Sequence, residues 1–184
     1  PPGCGKSLAA RVAASVLELP LLRLDVGRLL GRYLGESENN LRAALATAEA
    51  AAPCVLWIDE LEKALAGSGS DEGGGTSTRM LGALLTWMQE SRGVFLVATA
   101  NVVKRLPPEL LRRGRFDELF FVDLPTTLER TEILSLHVQR REWNWPDATG
   151  SNVANLLGWV AGQTKGYSGA DLEALVKSAV EEAW

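Results

Sequence analysis

The sequence has 184 residues, of which 46% are hydrophobic and 23% charged, and a formal net charge of −4. That supplies a packed core for one domain, or one domain and a small appendage, and it excludes a disordered chain or a broadly basic surface for nucleic acid. Two cysteines, Cys4 and Cys54, make no disulfide framework and point to a reducing compartment, and no apolar run reaches the roughly eighteen residues that span a bilayer as a helix.

In chain order, Lys6 to Leu19 is expected to be helical, with Leu8, Val12, Val16 and Leu19 on one face, and Pro20 stops it. Leu21 to Val26 is a short apolar strand, followed by a loop punctuated by Gly27, Gly31 and Gly35. The Ala-rich stretch Glu38 to Ala52 is helical and ends at Pro53. Cys54 to Ile58 is apolar at every position, the pattern of a strand covered on both faces. A Gly/Ser loop over Gly67 to Gly75 leads into an amphipathic helix over Thr78 to Glu90. Val94 to Ala98 and Leu119 to Val122 are further all-apolar strands. Strands alternating with helices predict an α/β fold with a parallel sheet. Beyond Pro125 the strands stop, and Thr126 to Arg141, Asn152 to Gln163 and Ser168 to Ala183 all carry helical patterns. The expected organisation is a larger α/β subdomain over 1–124 and a small helical subdomain over 125–184, with no internal repeat.

Pro1-Pro2-Gly3-Cys4-Gly5-Lys6-Ser7 fits the phosphate-loop pattern G-x-x-x-x-G-K-[ST] except for its first Gly, which would precede Pro1. Position 1 is not Met and already lies inside this motif, so an excised fragment is expected. Gly3 and Gly5 let the backbone curl so that its N–H groups face phosphate oxygens, and the following helix aims its positive end at the same place. Lys6 would reach the β- and γ-phosphates and the Ser7 hydroxyl would bind Mg²⁺. A partial motif is weak alone, because a Gly-rich turn before a helix also arises by chance.

The second motif strengthens it. The apolar strand Val55-Leu56-Trp57-Ile58 ends in Asp59-Glu60. Asp59 is placed to hold the Mg²⁺ shell and Glu60 to polarise an attacking water at the ligand-binding edge of such a sheet. Val97-Ala98-Thr99-Ala100-Asn101 is another strand ending in a polar residue, and Asn101 could orient that water or touch the γ-phosphate. Leu110-Leu111-Arg112-Arg113-Gly114-Arg115-Phe116-Asp117 is a local basic cluster. Its arginines end a short helix and flank a Gly, which suits guanidinium groups reaching across a subunit boundary to a γ-phosphate.

These motifs occur in the order found in AAA ATPases, and the resemblance runs over the whole chain. It implies a P-loop parallel sheet with flanking helices, whose first strand precedes Pro1, plus a C-terminal helical lid that continues past Trp184. It places the nucleotide against Gly3, Cys4, Gly5, Lys6, Ser7, Leu8, Ile133, His137, Gly169 and Ala170, and Mg²⁺ against Ser7 and Asp59. It assigns hydrolysis to Lys6, Glu60 and Asn101, with Arg112 and Arg115 as arginine fingers. Asp171 is expected to cap its helix. Arg32-Tyr33-Leu34-Gly35 resembles the first pore loop of AAA unfoldases, with Tyr33 and Leu34 at the positions that grip a polypeptide. Leu84 to Glu90 and Pro107 to Pro125 look most like the poorly characterised cyanobacterial and chloroplast-encoded AAA proteins. Met88-Gln89-Glu90 departs from the acidic-Gly-aromatic signature of typical unfoldases, so the subunit-to-subunit signal is expected to differ.

The resemblance implies ATP and Mg²⁺ as cofactors, a self-assembled ring, expected to be a hexamer, and a protein client, in the cytoplasm or the plastid stroma. The alternative is a nucleotide-gated assembly scaffold with little hydrolysis, against which the intact Glu60 argues. A nucleic-acid motor is disfavoured by the acidic net charge and the lack of a basic patch beyond the arginine segment.

Overall fold

The computed structural model describes residues 1–25, 36–65, 74–141 and 150–182. Tyr33 and Leu34 lie outside the described residues. The chain divides into two compact units, one of Ser7–Phe120 and one of Phe121–Trp184 together with Pro1–Lys6.

In the first unit, helix α1 (Lys6–Leu17, its first residue belonging to the other unit) is followed by strand β1 (Leu21–Leu24), α2 (Glu36–Ala50) and β2 (Cys54–Ile58). Then come the single turn α3 (Leu61–Ala64), α4 (Gly74–Glu90) and β3 (Val94–Ala98). Two 3₁₀ turns, Val103–Arg105 and Pro108–Leu111, follow. The sheet is parallel in the order β1-β2-β3, with Leu22 opposite Leu56 and Leu56 opposite Leu96.

Every residue of β2 is buried, as its unbroken apolar run predicts. Cys54, Leu56 and Ile58 pack with Leu41 and Leu45 of α2 and Met80 and Leu84 of α4. Val55 and Trp57 point to the opposite face, by the two-residue alternation of a strand, and are buried there too. Burial pushes the Cys54 thiol above its ordinary pKa, and its Sγ donates to the Ala48 carbonyl at 3.3 Å.

Helix α1 ends at Leu17 because Glu18 turns into the left-handed region at φ 54°. Its buried residues are Ala10 and Ala14, and the Leu8-Val12-Val16 stripe is exposed. Small side chains therefore make this helix's packed face, not the larger apolar ones.

One predicted strand is absent. Leu119 to Val122 has no regular structure, and among the described residues no backbone ladder reaches it. Apolar, β-favouring composition makes a segment fit to be a strand, but the strand itself exists only in hydrogen bonds to a neighbour. Without one, Phe120 and Phe121 are 86% and 84% exposed.

The second unit contains helices α5 (Thr127–Gln139), α6 (Gly150–Gln163) and α7 (Gly169–Glu182). Thr126 and Glu129 form a capping box at the start of α5, which lowers the Glu129 pKa. Leu134, Leu157, Ala161, Leu172 and Val176 form the core. Arg130 is buried with them, 5% exposed, and donates three bonds to two carbonyl oxygens beyond its own turn: Nε and Nη2 to that of Ala161 at 2.9 and 2.8 Å, and Nη1 to that of Pro125 at 2.7 Å. Thr127 Oγ1 accepts a further bond from Nη2 at 3.1 Å. A buried guanidinium satisfied by carbonyls ties α5 to the end of α6, where the helix dipole favours a cation.

Candidate functional site

The ends of β2 and β3 hold the acidic centre. Asp59 follows β2 directly, and its Oδ1 accepts from the Ser7 hydroxyl at 3.1 Å and the Thr99 hydroxyl at 2.5 Å. Arg23 on β1, opposite Trp57 in the ladder, lies over the Trp57 ring at 4.7 Å and brings Nη2 to 3.6 Å from Asp59 Oδ2. Ser7 and Asp59, 52 positions apart in sequence, are thus side by side.

Glu60 adopts φ 52° and ψ 51°, a left-handed conformation uncommon for a residue with a side chain. Thr99 holds it there. The Glu60 N–H donates to Thr99 Oγ1 at 3.1 Å, the Leu61 N–H to the Thr99 carbonyl at 2.9 Å, and the Thr99 N–H to the Ile58 carbonyl at 3.0 Å. Both Glu60 carboxylate oxygens are engaged: Oε1 accepts from Asn101 Nδ2 at 3.1 Å and Oε2 from Lys63 Nζ at 2.6 Å. The hydrogen bond to Glu60 raises the Lys63 pKa, and the Glu60, Glu62 and Asp59 charges add to it.

The structure therefore brings together Ser7, Asp59, Glu60 and Asn101. Thr99, Arg23 and Lys63 were not singled out from sequence. Thr99 stood in a segment whose polar end drew attention to Asn101, and its hydroxyl matters only because β3 lies beside β2.

The arginine segment is anchored at both ends. Leu110 is fully buried, Phe116 packs against the core, and Arg115 donates from Nη1 to the Leu85 carbonyl at 2.6 Å. Between these anchors Arg112 and Arg113 are exposed, and Gly114 turns at φ 84°. Among the described residues Arg112 has no hydrogen-bond or ion-pair partner. The two candidate fingers thus differ: Arg112 projects, while Arg115 is tied to Leu85 of α4.

In the other unit, Gly3 and Gly5 take φ 73° and 84°, the left-handed conformations that glycine adopts without steric cost. The Lys6 ammonium donates to the Pro1 carbonyl, and the Cys4 Sγ lies 3.6 Å from the Pro2 carbonyl. The Ala170 N–H donates to the Gly3 carbonyl at 3.1 Å. A Cβ on Gly3 would stand 2.7 Å from Ser168 Oγ, and one on Gly169 would stand 3.1 Å from the Gly3 carbonyl. Ile133 Cδ1 lies 4.0 Å from that second position, and His137, one turn along α5, has Nδ1 4.0 Å from Glu173 Oε1. Gly3, Ile133, Gly169 and Ala170 therefore share one locality. Asp171 caps α7 as expected: Ser168 donates to Asp171 Oδ2 from N at 2.8 Å and from Oγ at 2.7 Å, which lowers the Asp171 pKa.

Comparison with known proteins gives the same outline. Residues 1–124 match the model of the ATPase family associated with various cellular activities (AAA), and residues 155–184 match an AAA+ lid domain. The chain is 44% identical over 184 residues to a protein of Trieres chinensis named uncharacterized AAA domain-containing protein ycf46, covering 99% of this chain and 36% of that one. Proteins of the same name in Guillardia theta and Pyropia yezoensis are each 42% identical over 186 residues, covering 99% of this chain and 35% and 36% of theirs. The chain spans about a third of the length of these relatives. Among the described residues no helix is long and apolar enough to cross a membrane.

Proposed function

This chain belongs to the AAA ATPase family, and on that footing we propose that the protein is a ring-forming, Mg²⁺-dependent ATPase that remodels or translocates a protein client through a central pore. The observation that carries the hydrolytic part is the joining of Asp59, Glu60, Thr99 and Asn101 at the ends of two neighbouring strands, with Ser7 against Asp59.

The donor set suits a hard divalent cation. Ser7 and Asp59 offer a hydroxyl and a carboxylate, the oxygen ligands Mg²⁺ takes while keeping waters and phosphate oxygens. Among the described residues no group of three or more His, Cys, Asp or Glu is placed to hold a metal. When bound, Mg²⁺ neutralises charge developing on the β- and γ-phosphate oxygens. The backbone amides of the Gly3–Ser7 loop and the Lys6 ammonium cradle the phosphates. Cys4 and Leu8 line that loop, while Ile133, His137, Gly169 and Ala170 receive the adenosine. Glu60 polarises the attacking water and Asn101 fixes the carboxylate that does so. Arg112 is the finger offered to a neighbouring subunit, with Arg115 bracing its segment. Tyr33 and Leu34 grip the client. The cytoplasm or the plastid stroma is the assigned compartment.

Glu60→Gln in the full-length protein tests this reading. Turnover should disappear while ATP binding persists. The ion pair of Lys63 with Glu60 favours one second reading, a nucleotide-gated scaffold with little hydrolysis, because it occupies an oxygen needed by water. Steady turnover that depends on Glu60 decides for the enzyme, and its absence decides for the scaffold.

A further inference from the structure

Glu62 has entered so far only as a charge near Lys63, yet it is the most deeply buried acid near the site among the described residues. It lies in α3, two residues past Glu60, and is 3% exposed. Its Oε1 accepts from the backbone N–H of Asn101 at 2.9 Å. Its Oε2 is buried and has no hydrogen-bond partner among the described residues. Burying a carboxylate with one oxygen unsatisfied is unfavourable, and a Leu or Met there would pack without that cost.

The compensation lies in what the other oxygen holds. Asn101 sits beyond the end of β3, in a segment with no regular backbone pairing of its own. Glu62 fixes its main chain, and its side-chain Nδ2 donates to Glu60 Oε1 at 3.1 Å. Two acids separated by one residue thus grip the two ends of a single asparagine. Because α3 begins at Leu61, Glu60 and Glu62 are rigidly related, and the Asn101 amide inherits its aim from that relation. Releasing the N–H of Asn101 would free its backbone to turn, and the amide would lose its register with Glu60.

We propose that Glu62 is a positioning residue for ATP hydrolysis, acting through Asn101 on the Glu60 carboxylate. It touches no substrate. The inference rests on the hydrolytic reading above, and its test must separate the two.

Steady-state ATPase kinetics of the full-length protein provide the first arm. Glu62→Ala should lower kcat by about ten- to a hundredfold while the KM for ATP stays near its starting value, since misaiming a catalytic group acts on the reacting geometry. Glu62→Gln should recover much of the loss, because an amide oxygen still accepts from the Asn101 N–H. In an Asn101→Ala background, Glu62→Ala should have little further effect. Equal losses with and without Asn101, or an unchanged kcat in Glu62→Ala, would overturn the proposal. Should Glu62→Ala not fold, Glu62→Met, which fills the buried site without offering an acceptor, carries the same comparison in a cycle with Asn101→Ala.

The second arm does not need turnover. Glu60→Gln should move the NMR signals of the Asn101 side-chain NH₂ group, and that response should vanish when Glu62 is replaced. A response that persists in the Glu62 variant overturns the positioning role. A wild-type protein without Glu60-dependent turnover overturns the ATPase reading, and the NMR outcome then decides Glu62 alone.

Discussion

Thr99→Val removes one hydroxyl and keeps a branched side chain of similar shape in a site only 7% exposed. Two bonds go with it. Asp59 loses a donor at 2.5 Å and the Glu60 N–H loses its acceptor at 3.1 Å. A hydrogen bond to a charged group contributes about 1.5–3 kcal/mol, and a stranded buried N–H costs about 1–3 kcal/mol. The Asp59 and Glu60 side chains are 25% and 39% exposed, so water recovers part of both losses, and a net destabilisation of ~2 kcal/mol is expected. Urea denaturation should show this as a lower midpoint at unchanged slope. Activity should suffer separately. Glu60 sits at φ 52°, a conformation costing roughly 1–2 kcal/mol for a residue with a side chain. Released from Thr99, it relaxes and carries its carboxylate away from Asn101, so kcat should fall by about a hundredfold with a smaller change in KM. Thr99→Ser keeps both bonds and should retain most of the activity. A Thr99→Val protein with an unchanged urea midpoint and a kcat within about twofold of wild type would refute the claim that this hydroxyl holds the site together.

Three further outcomes are expected. Arg112→Ala in the full-length protein should leave ATP binding nearly intact and cut turnover by ~10³-fold, while Arg115→Ala should also loosen its own segment, which nucleotide titration and thermal melting distinguish. Arg130→Met should destabilise the helical unit by about 3 kcal/mol or more, since the Ala161 and Pro125 carbonyls lose charge-assisted donors, measured by denaturant melts. Asp171 has a lowered pKa because Ser168 hydrogen-bonds its carboxylate. Its stabilisation is therefore present above the unfolded-state pKa near ~4 and is lost as pH falls through the lower folded value; Asp171→Asn should flatten the acid limb of a stability-against-pH profile.

Much of the candidate site is legible in the sequence because the chemistry proposed for it requires particular residue types at fixed spacing. The Gly3-Cys4-Gly5-Lys6-Ser7 loop and the Asp59-Glu60 end of an apolar strand are such cases, and β2 is buried as its composition implies. Thr99, Arg23 and Glu62 were not legible, for one physical reason. Each acts on a neighbour brought close by the parallel register of β1, β2 and β3, and nothing in its own sequence neighbourhood marks that contact. The segment Leu119 to Val122 shows the opposite failure. Its composition states a capacity to pair, while pairing depends on a partner that local composition cannot supply.

The meeting of Gly3 with Gly169 and Ala170 has a mechanical meaning. The carbonyl of the phosphate loop is bonded to the first turn of α7, and neither glycine has room for even one added carbon without moving something. Motion of the Gly3 peptide is passed through its carbonyl to the Ala170 N–H, at the start of a fourteen-residue rod. The loop proposed to cradle phosphate is thereby joined to a lever.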